Sequence, residues 1–150
     1  MTYDTDPKGS NHTPAEHAVH LHDIVVVGRS SSGQYQPLDV QLCYDTRNPF
    51  EIKASFSAIA SGKQEWLFSR ELLLHGLLVS AGEGDVQIRP CAEGLTAWID
   101  LKSSDDSGSY LANAKDLSGF LDCAYNIIAP GEETSWIDYD LALHRLLSGA

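Results

Sequence analysis

The chain has 150 residues, 43% of them hydrophobic, with 10 Lys and Arg against 21 Asp and Glu and a formal net charge of −11. That length fits one domain able to bury a core of its own. A surface of that sign repels phosphate, so binding to nucleic acid would need a local basic patch, adsorption to anionic lipid is disfavoured, and the ten cations are scattered from Lys8 to Arg145 without a cluster.

Residues 1–16 are polar, contain Pro7, Gly9 and Pro14, and predict a mobile tail ahead of a single domain over residues 17–150. His17 to Gly28 predicts a strand, with Val19, Leu21, Val25 and Val27 apolar. Ser30 to Gly33 is a turn. Leu38, Val40, Leu42 and Tyr44 alternate with Asp39, Gln41 and Cys43, the two-residue period of a half-buried strand. Asp45 to Pro49 is turn chemistry. Phe50, Ile52, Ala54, Phe56 and Ala58 alternate again, and Glu65 to Phe68 is a fourth strand, close enough to the others for an antiparallel meander.

Ser69 is placed to cap a helix, with Glu71 in its first turn. At 100° per residue Leu73, Leu74, Leu77 and Leu78 fall within an arc of about 140°, a core face. Leu72 falls near the opposite side, next to Gly76; a large aliphatic there is either buried by another element or exposed for a partner. The second half repeats the outline without sequence similarity. Val86 to Ile88, Leu95 to Leu101 and Tyr110 to Ala112 predict strands. Leu117, Phe120, Leu121, Ala124, Ile127 and Ile128 predict a helix stopped by Pro130-Gly131. Asp138 predicts the cap of a last helix, Tyr139 to Leu147, with Leu143, Leu146 and Leu147 inward.

Motifs for chemistry are missing. His20 and His22 share a strand face, a possible pair of metal ligands, but no further group completes a site and a solvated strand face is the plainer reading. Ser61-Gly62-Lys63 lacks the glycine and hydroxyl positions of a phosphate loop. Gly82 to Asp85 predicts a tight loop. No G-x-S-x-G elbow occurs, and no cysteine has a neighbouring histidine. The cysteines Cys43, Cys91 and Cys123 are odd in number, without a CxxC pair, and predict reduced thiols inside the cell. No signal peptide and no membrane-spanning run is present. The sequence therefore predicts a protein that is not an enzyme and takes no cofactor and no metal. Trp66, Trp98 and Trp136 predict core or subunit interface rather than base stacking, since Lys and Arg are not interleaved with them.

The segments Tyr44-Asp45, Asn48-Pro49-Phe50, Glu65 to Leu73, His75-Gly76-Leu77 and Gly82 to Val86 closing at Pro90 resemble the SsgA-like proteins, sporulation and cell division regulators of filamentous actinobacteria. Weaker matches run through Phe120-Leu121, Pro130-Gly131-Glu132 and Asp138 to Leu147, so the resemblance covers about Val19 to Leu147. It implies an α+β fold, two antiparallel β-sheets packed with helices in a Whirly-like single domain, assembled as a homotrimer. It implies a non-enzymatic cytoplasmic adaptor recruited to the division septum, with the tubulin-like division protein FtsZ or an SsgA-like paralogue as partner. The alternative is a Whirly-like binder of single-stranded nucleic acid, which the acidic charge opposes. The chain departs from the family pattern at Asn48, where Asp is usual, at Arg89, and at Asp122, Cys123 and Tyr125. Asp45, Arg70, Leu72, His75 and Gly76 are the expected partner-binding residues, Arg70 alternatively a structural pair to Asp45 or Glu71. Trp66, Phe68, Leu73 and Leu77 are expected in the core.

Overall fold

The computed structural model describes residues 16–29, 32–57, 64–82, 84–103 and 107–148. The expected mobile tail, apart from Glu16, and the Ser61-Gly62-Lys63 segment lie outside the described residues.

Among the described residues seven strands form one antiparallel sheet. β1 (Val19–Arg29), β2 (Tyr35–Asp45), β3 (Glu51–Phe56) and β4 (Glu65–Ser69) make the first meander. β5 (Val86–Cys91), β6 (Thr96–Lys102) and β7 (Ser107–Asn113) make the second. The order across the sheet is β4-β3-β2-β1-β7-β6-β5. The two blocks that the resemblance implies as separate sheets are thus joined, through the pairs Val27–Leu111 and Gly28–Tyr110. That seam is narrow, and Gly28 makes it possible: a Cβ there would lie 2.9 Å from the Tyr110 ring.

Alternation sets the faces. Leu42, Ala54 and Trp66 are cross-strand neighbours on the inner face, as are Val40 and Phe56, and all are buried. Polar residues of β2 and β3 take the other face, as the two-residue period demands. β1 behaves differently. Its buried residues are Ile24, Val26 and Gly28, while Val19, Leu21, Val25 and Val27 face outward and are exposed. His20 and His22 share the inner face with Ile24; both are half-buried, with His20 stacked on Phe120 at 5.6 Å and His22 tilted against it at 6.2 Å. The solvated strand face expected for this pair is corrected: they pack under a helix.

Three helices follow the strands. α1 (Arg70–Gly76) lies against β4 and β5; α2 (Ala114–Ile127) packs on β1, β6 and β7 and touches α1; α3 (Tyr139–Leu147) ends the described chain. Side-chain caps start each one: Ser69 accepts the Leu72 N–H, Asn113 the Lys115 N–H and Asp138 the Leu141 N–H. Leu117, Phe120, Leu121 and Ala124 of α2 are buried, with Ile128 just past its end, as the periodicity predicts. The inward leucines expected of α3 are not inward. Every residue of α3 is exposed, Leu146 at 75% and Leu147 at 77%.

Candidate functional site

α1 is the element that carries most of the expected site residues, and its buried side is not the predicted one. The helix stops at Gly76, so Leu78 lies beyond it and is 73% exposed. Arg70, Leu73 and Gly76 are buried, and Leu72 and Leu77 pack half-buried against the core. Leu74 is exposed. The core side is rotated from the predicted arc because two of its members, an arginine and a glycine, do not register in an apolar count.

Arg70 is corrected from surface contact to core residue: it is 1% exposed. Its guanidinium donates to the Ala124 carbonyl oxygen at 3.0 Å, to the Ala129 carbonyl oxygen at 3.4 Å and to the Glu133 carboxylate at 3.0 Å. It lies 4.2 Å from the Tyr125 ring centroid and 5.1 Å from that of Tyr44. Its structural partner is therefore Glu133, neither Asp45 nor Glu71. One short helix, the end of α2 and the following turn over Glu133–Trp136 are tied through a single charge. A cation held over two rings together with a fork of donors is a task for arginine and not for lysine. Tyr125, one of the departures from the family pattern, supplies the nearer ring.

The charge organises its neighbours. Burial alone would raise the Glu133 carboxyl. Hydrogen bonds from its own backbone N–H, from Arg70 and from Gly131, with the Arg70 charge, hold it below the usual carboxylate range. Burial pushes the Tyr44 hydroxyl up to about 12, against the opposing pull of Arg70; burial raises Tyr125 likewise. Tyr44 therefore stays neutral and donates to the Pro49 carbonyl oxygen at 2.7 Å. A group raised in the folded state stabilises fully below its unfolded value and loses that contribution as pH rises through the folded one. Tyr44→Phe is expected to cost about 1 kcal/mol at neutral pH for the lost hydrogen bond. It should also flatten the decline of stability between the ordinary tyrosine value of 10.0 and about 12, read by urea titration across that range.

Gly76 is corrected too. It is buried against β5, where a Cβ would stand 2.5 Å from the Ile88 Cβ. Leu72 lies inward, with its Cδ1 3.2 Å from the Cβ position of Gly82. Asp45 is half-buried and closes its own turn: its carboxylate accepts the Arg47 N–H at 2.9 Å and meets the Arg47 guanidinium at 3.3 Å. Of the expected residues, His75 is the one fully exposed. It shares the outer side of α1 with Glu71 and Leu74, and Leu78 and Val79 continue that surface. Sequence reasoning missed Leu74, Leu78 and Val79. The signal available was the glycine at 76, which ends a helix and shortens the periodic run.

Among the described residues no group of three or more His, Cys, Asp or Glu is placed to hold a metal ion. No described helix is long and apolar enough to cross a membrane.

Residues 38–133 match the family described as Streptomyces sporulation and cell division protein, SsgA. The sporulation-specific cell division protein SsgB of Saccharopolyspora erythraea is 42% identical over 112 residues, covering 74% of this chain and 79% of that protein. SsgB of Streptomyces coelicolor is 34% identical over 130 residues, covering 85% and 93%. A crystal structure of an SsgA-like sporulation-specific cell division protein from Thermobifida fusca superposes with a TM-score of 0.76 at 28% identity, over 89% of this chain and 98% of the other. A structure of Streptomyces coelicolor SsgB, studied with mutations that correlate to longitudinal cell division during sporulation, gives 0.70 at 30% identity over 78% and 94%. The chain belongs to the SsgA family of sporulation and cell division proteins.

Proposed function

We propose that this protein is a non-enzymatic adaptor in sporulation-specific cell division, cytoplasmic and recruited to the septum, which binds FtsZ or an SsgA-like paralogue as a homo-oligomer, a trimer by family likeness. One observation carries the adaptor reading. The outer side of α1 presents Leu74 and His75 to solvent and the turn after it presents Leu78 and Val79, on a helix pinned from beneath by Arg70 and Gly76. Exposed aliphatics on a rigid support are the composition of a docking surface rather than of a solvated one. Of the residues expected to touch the partner, His75 stays in that role; Asp45 lies at the turn after β2, and Arg70, Leu72 and Gly76 act by setting the helix in place.

Leu74→Asp and Leu78→Asp are expected to fold with stabilities within about 0.5 kcal/mol of wild type, as exposed substitutions do. Each should weaken binding to purified FtsZ, or to the paralogue, by about tenfold or more, and reduce septal fluorescence of a tagged copy in sporulating hyphae. Wild-type binding and wild-type localisation of both variants would refute the α1 surface.

A second reading, a Whirly-like binder of single-stranded nucleic acid, has one observation in its favour: on the outer sheet face Arg89 lies 5.4 Å from the Trp98 ring, a cation beside a stacking surface. Asp100 holds that cation at 2.9 Å, which lowers its value to a phosphate. Oligonucleotide titration at low salt separates the readings. Tight binding that falls steeply with added salt would support the nucleic-acid reading.

A further inference from the structure

The sheet has two ends, and the chain treats them differently. The β5 end is closed. The Lys102 N–H donates to the Asp85 carbonyl oxygen at 2.9 Å, which turns Gln87, Arg89 and Cys91 toward β6 and leaves Val86, Ile88 and Pro90 facing the other side. There Ile88 exchanges two bonds of 2.9 Å with Ala81, and Pro90 has no N–H to offer.

The β4 end carries no such guard. The Phe56 N–H donates to the Gln64 carbonyl oxygen at 2.8 Å and the Arg70 N–H to that of Phe50 at 2.9 Å. These two bonds bracket the ladder, so Trp66 and Phe68 bond to β3. Glu65 and Leu67 turn N–H and C=O the other way, and Ser69 its N–H. No described strand lies on that side. The strand has no proline and its register no bulge, two of the devices that blunt native edges. The charge of Glu65 is offset by Lys53 at 3.9 Å.

We propose that β4 is a docking edge that takes an extended segment of a partner protein as an eighth strand, the segment carrying a basic residue two positions from an apolar one. The inference rests on the adaptor reading above and names the kind of segment the adaptor takes. A row of outward N–H and C=O groups is matched by another extended backbone, which supplies affinity, while alternate side chains supply specificity. Residues opposite one another in an antiparallel pair share a face. On the outer face the segment meets Leu67, 55% exposed, with Glu65 two positions away. An apolar side chain covers the first, and a cation two places along meets the second.

Charge selects such a segment over a second copy. Antiparallel pairing of β4 with itself about Leu67 sets each Glu65 against Ser69, which has Glu51 across the ladder and Glu71 two residues on in α1. A basic segment is instead drawn to a chain of −11. The Ser69 end of β4 runs directly into α1, so one end of the added strand lies at the start of the helix that carries Leu74 and His75.

The test is selection of a random dodecapeptide phage library on the full chain, followed by NMR amide exchange with the most enriched peptide. Enriched peptides should carry Lys or Arg two positions from Val, Ile or Leu. In the chain alone the Glu65 and Leu67 amides should exchange fast and those of Trp66 and Phe68 slowly; the peptide should slow the first pair. Leu67→Pro removes an outward N–H and leaves the bonds to β3 in place, so the Trp66 and Phe68 amides should stay protected while the peptide binds at least about tenfold more weakly. Leu67→Lys keeps the backbone groups and repels the basic segment, and should weaken binding likewise. A library that yields no enriched peptide, or peptides that bind both variants as they bind wild type, would overturn the docking edge. Peptides that leave the Leu67 amide unprotected and are lost in Leu74→Asp would overturn strand addition while leaving the adaptor reading standing on α1. Protection of the Leu67 amide in the chain alone, growing with protein concentration, would give the edge to a second copy and overturn the proposal as well.

Discussion

Arg70→Ala is expected to lower stability by about 3–5 kcal/mol, the range for removing one partner of a buried ion pair. Domains of this kind are stable by only about 5–15 kcal/mol in all, so the loss takes a large share. The substitution deletes the donors to Ala124, Ala129 and Glu133 together and opens a gap between the Tyr44 and Tyr125 rings. Glu133 keeps the Gly131 N–H at 2.8 Å and some access to water, which moderates the cost. Arg70→Lys keeps the charge but not the fork or the stacking, and should lose about 1–3 kcal/mol for the acceptors left unmatched. Urea midpoints at constant m-value measure the order. A value for Arg70→Ala within about 1 kcal/mol of wild type would mean that α1 and α2 are not tied through this charge.

The same pair sets an acid limb. Glu133 is lowered in the folded state, so its contribution is complete above its ordinary value of 4.5 and is lost as pH falls below that through the folded value. The unfolded chain binds the proton more readily there, and stability rises with pH. Glu133→Gln should therefore show a shallower loss between about pH 5 and pH 3 than wild type, and the two curves should approach one another at the acid end.

How much of this was legible in the residues differs from strand to strand. β2 and β3 alternate apolar with polar, so their faces follow from a count by twos, and Leu42, Tyr44, Ile52, Ala54 and Phe56 are buried as that count requires. β1 is apolar on both faces. Ile24 and Val26 point in and Val19, Leu21, Val25 and Val27 point out, while the inner face also holds His20 and His22. Hydropathy therefore favours the wrong face of β1. The joining of the two meanders leaves no local trace either, because it depends on two residue pairs more than 80 positions apart. The family was legible because its strand, helix and loop segment is contiguous. The site was less so: a buried arginine is the inverse of what charge statistics lead one to expect. Its justification, two tyrosines and a glutamate drawn from three other segments, exists only once the chain is folded. The exposed leucines of α3 are invisible for a related reason, since amphipathicity marks an apolar side without saying which molecule covers it.

Gly76→Ala and Gly119→Ala should move stability in opposite directions, although both replace a helical glycine by the best helix former. Propensity alone favours each by about 0.5–1 kcal/mol. At Gly119 on α2 a new Cβ meets nothing within 4 Å, so the full gain should appear. At Gly76 the new Cβ would stand 2.5 Å from the Ile88 Cβ and 2.6 Å from its Cγ2. Carbon pairs prefer about 3.5–4.0 Å, so α1 and β5 must separate by about an ångström at a point where Ile88 is fully buried. Ile88 has little freedom to yield: Ala81 exchanges two backbone hydrogen bonds with it at 2.9 Å, and Ile99 faces it across β6. Overpacking of this kind costs about 1–3 kcal/mol, more than propensity returns. The net effect at Gly76 should be destabilising, while Gly119→Ala stabilises, both read from urea midpoints. Movement of α1 should also reach its outer side, where Leu74 and His75 stand. Gly76→Ala is therefore expected to weaken partner binding even under conditions in which the protein remains folded, and Gly119→Ala to leave binding at the wild-type level. Equal and favourable shifts from both substitutions would show that α1 does not rest on β5 closely enough to be positioned by it.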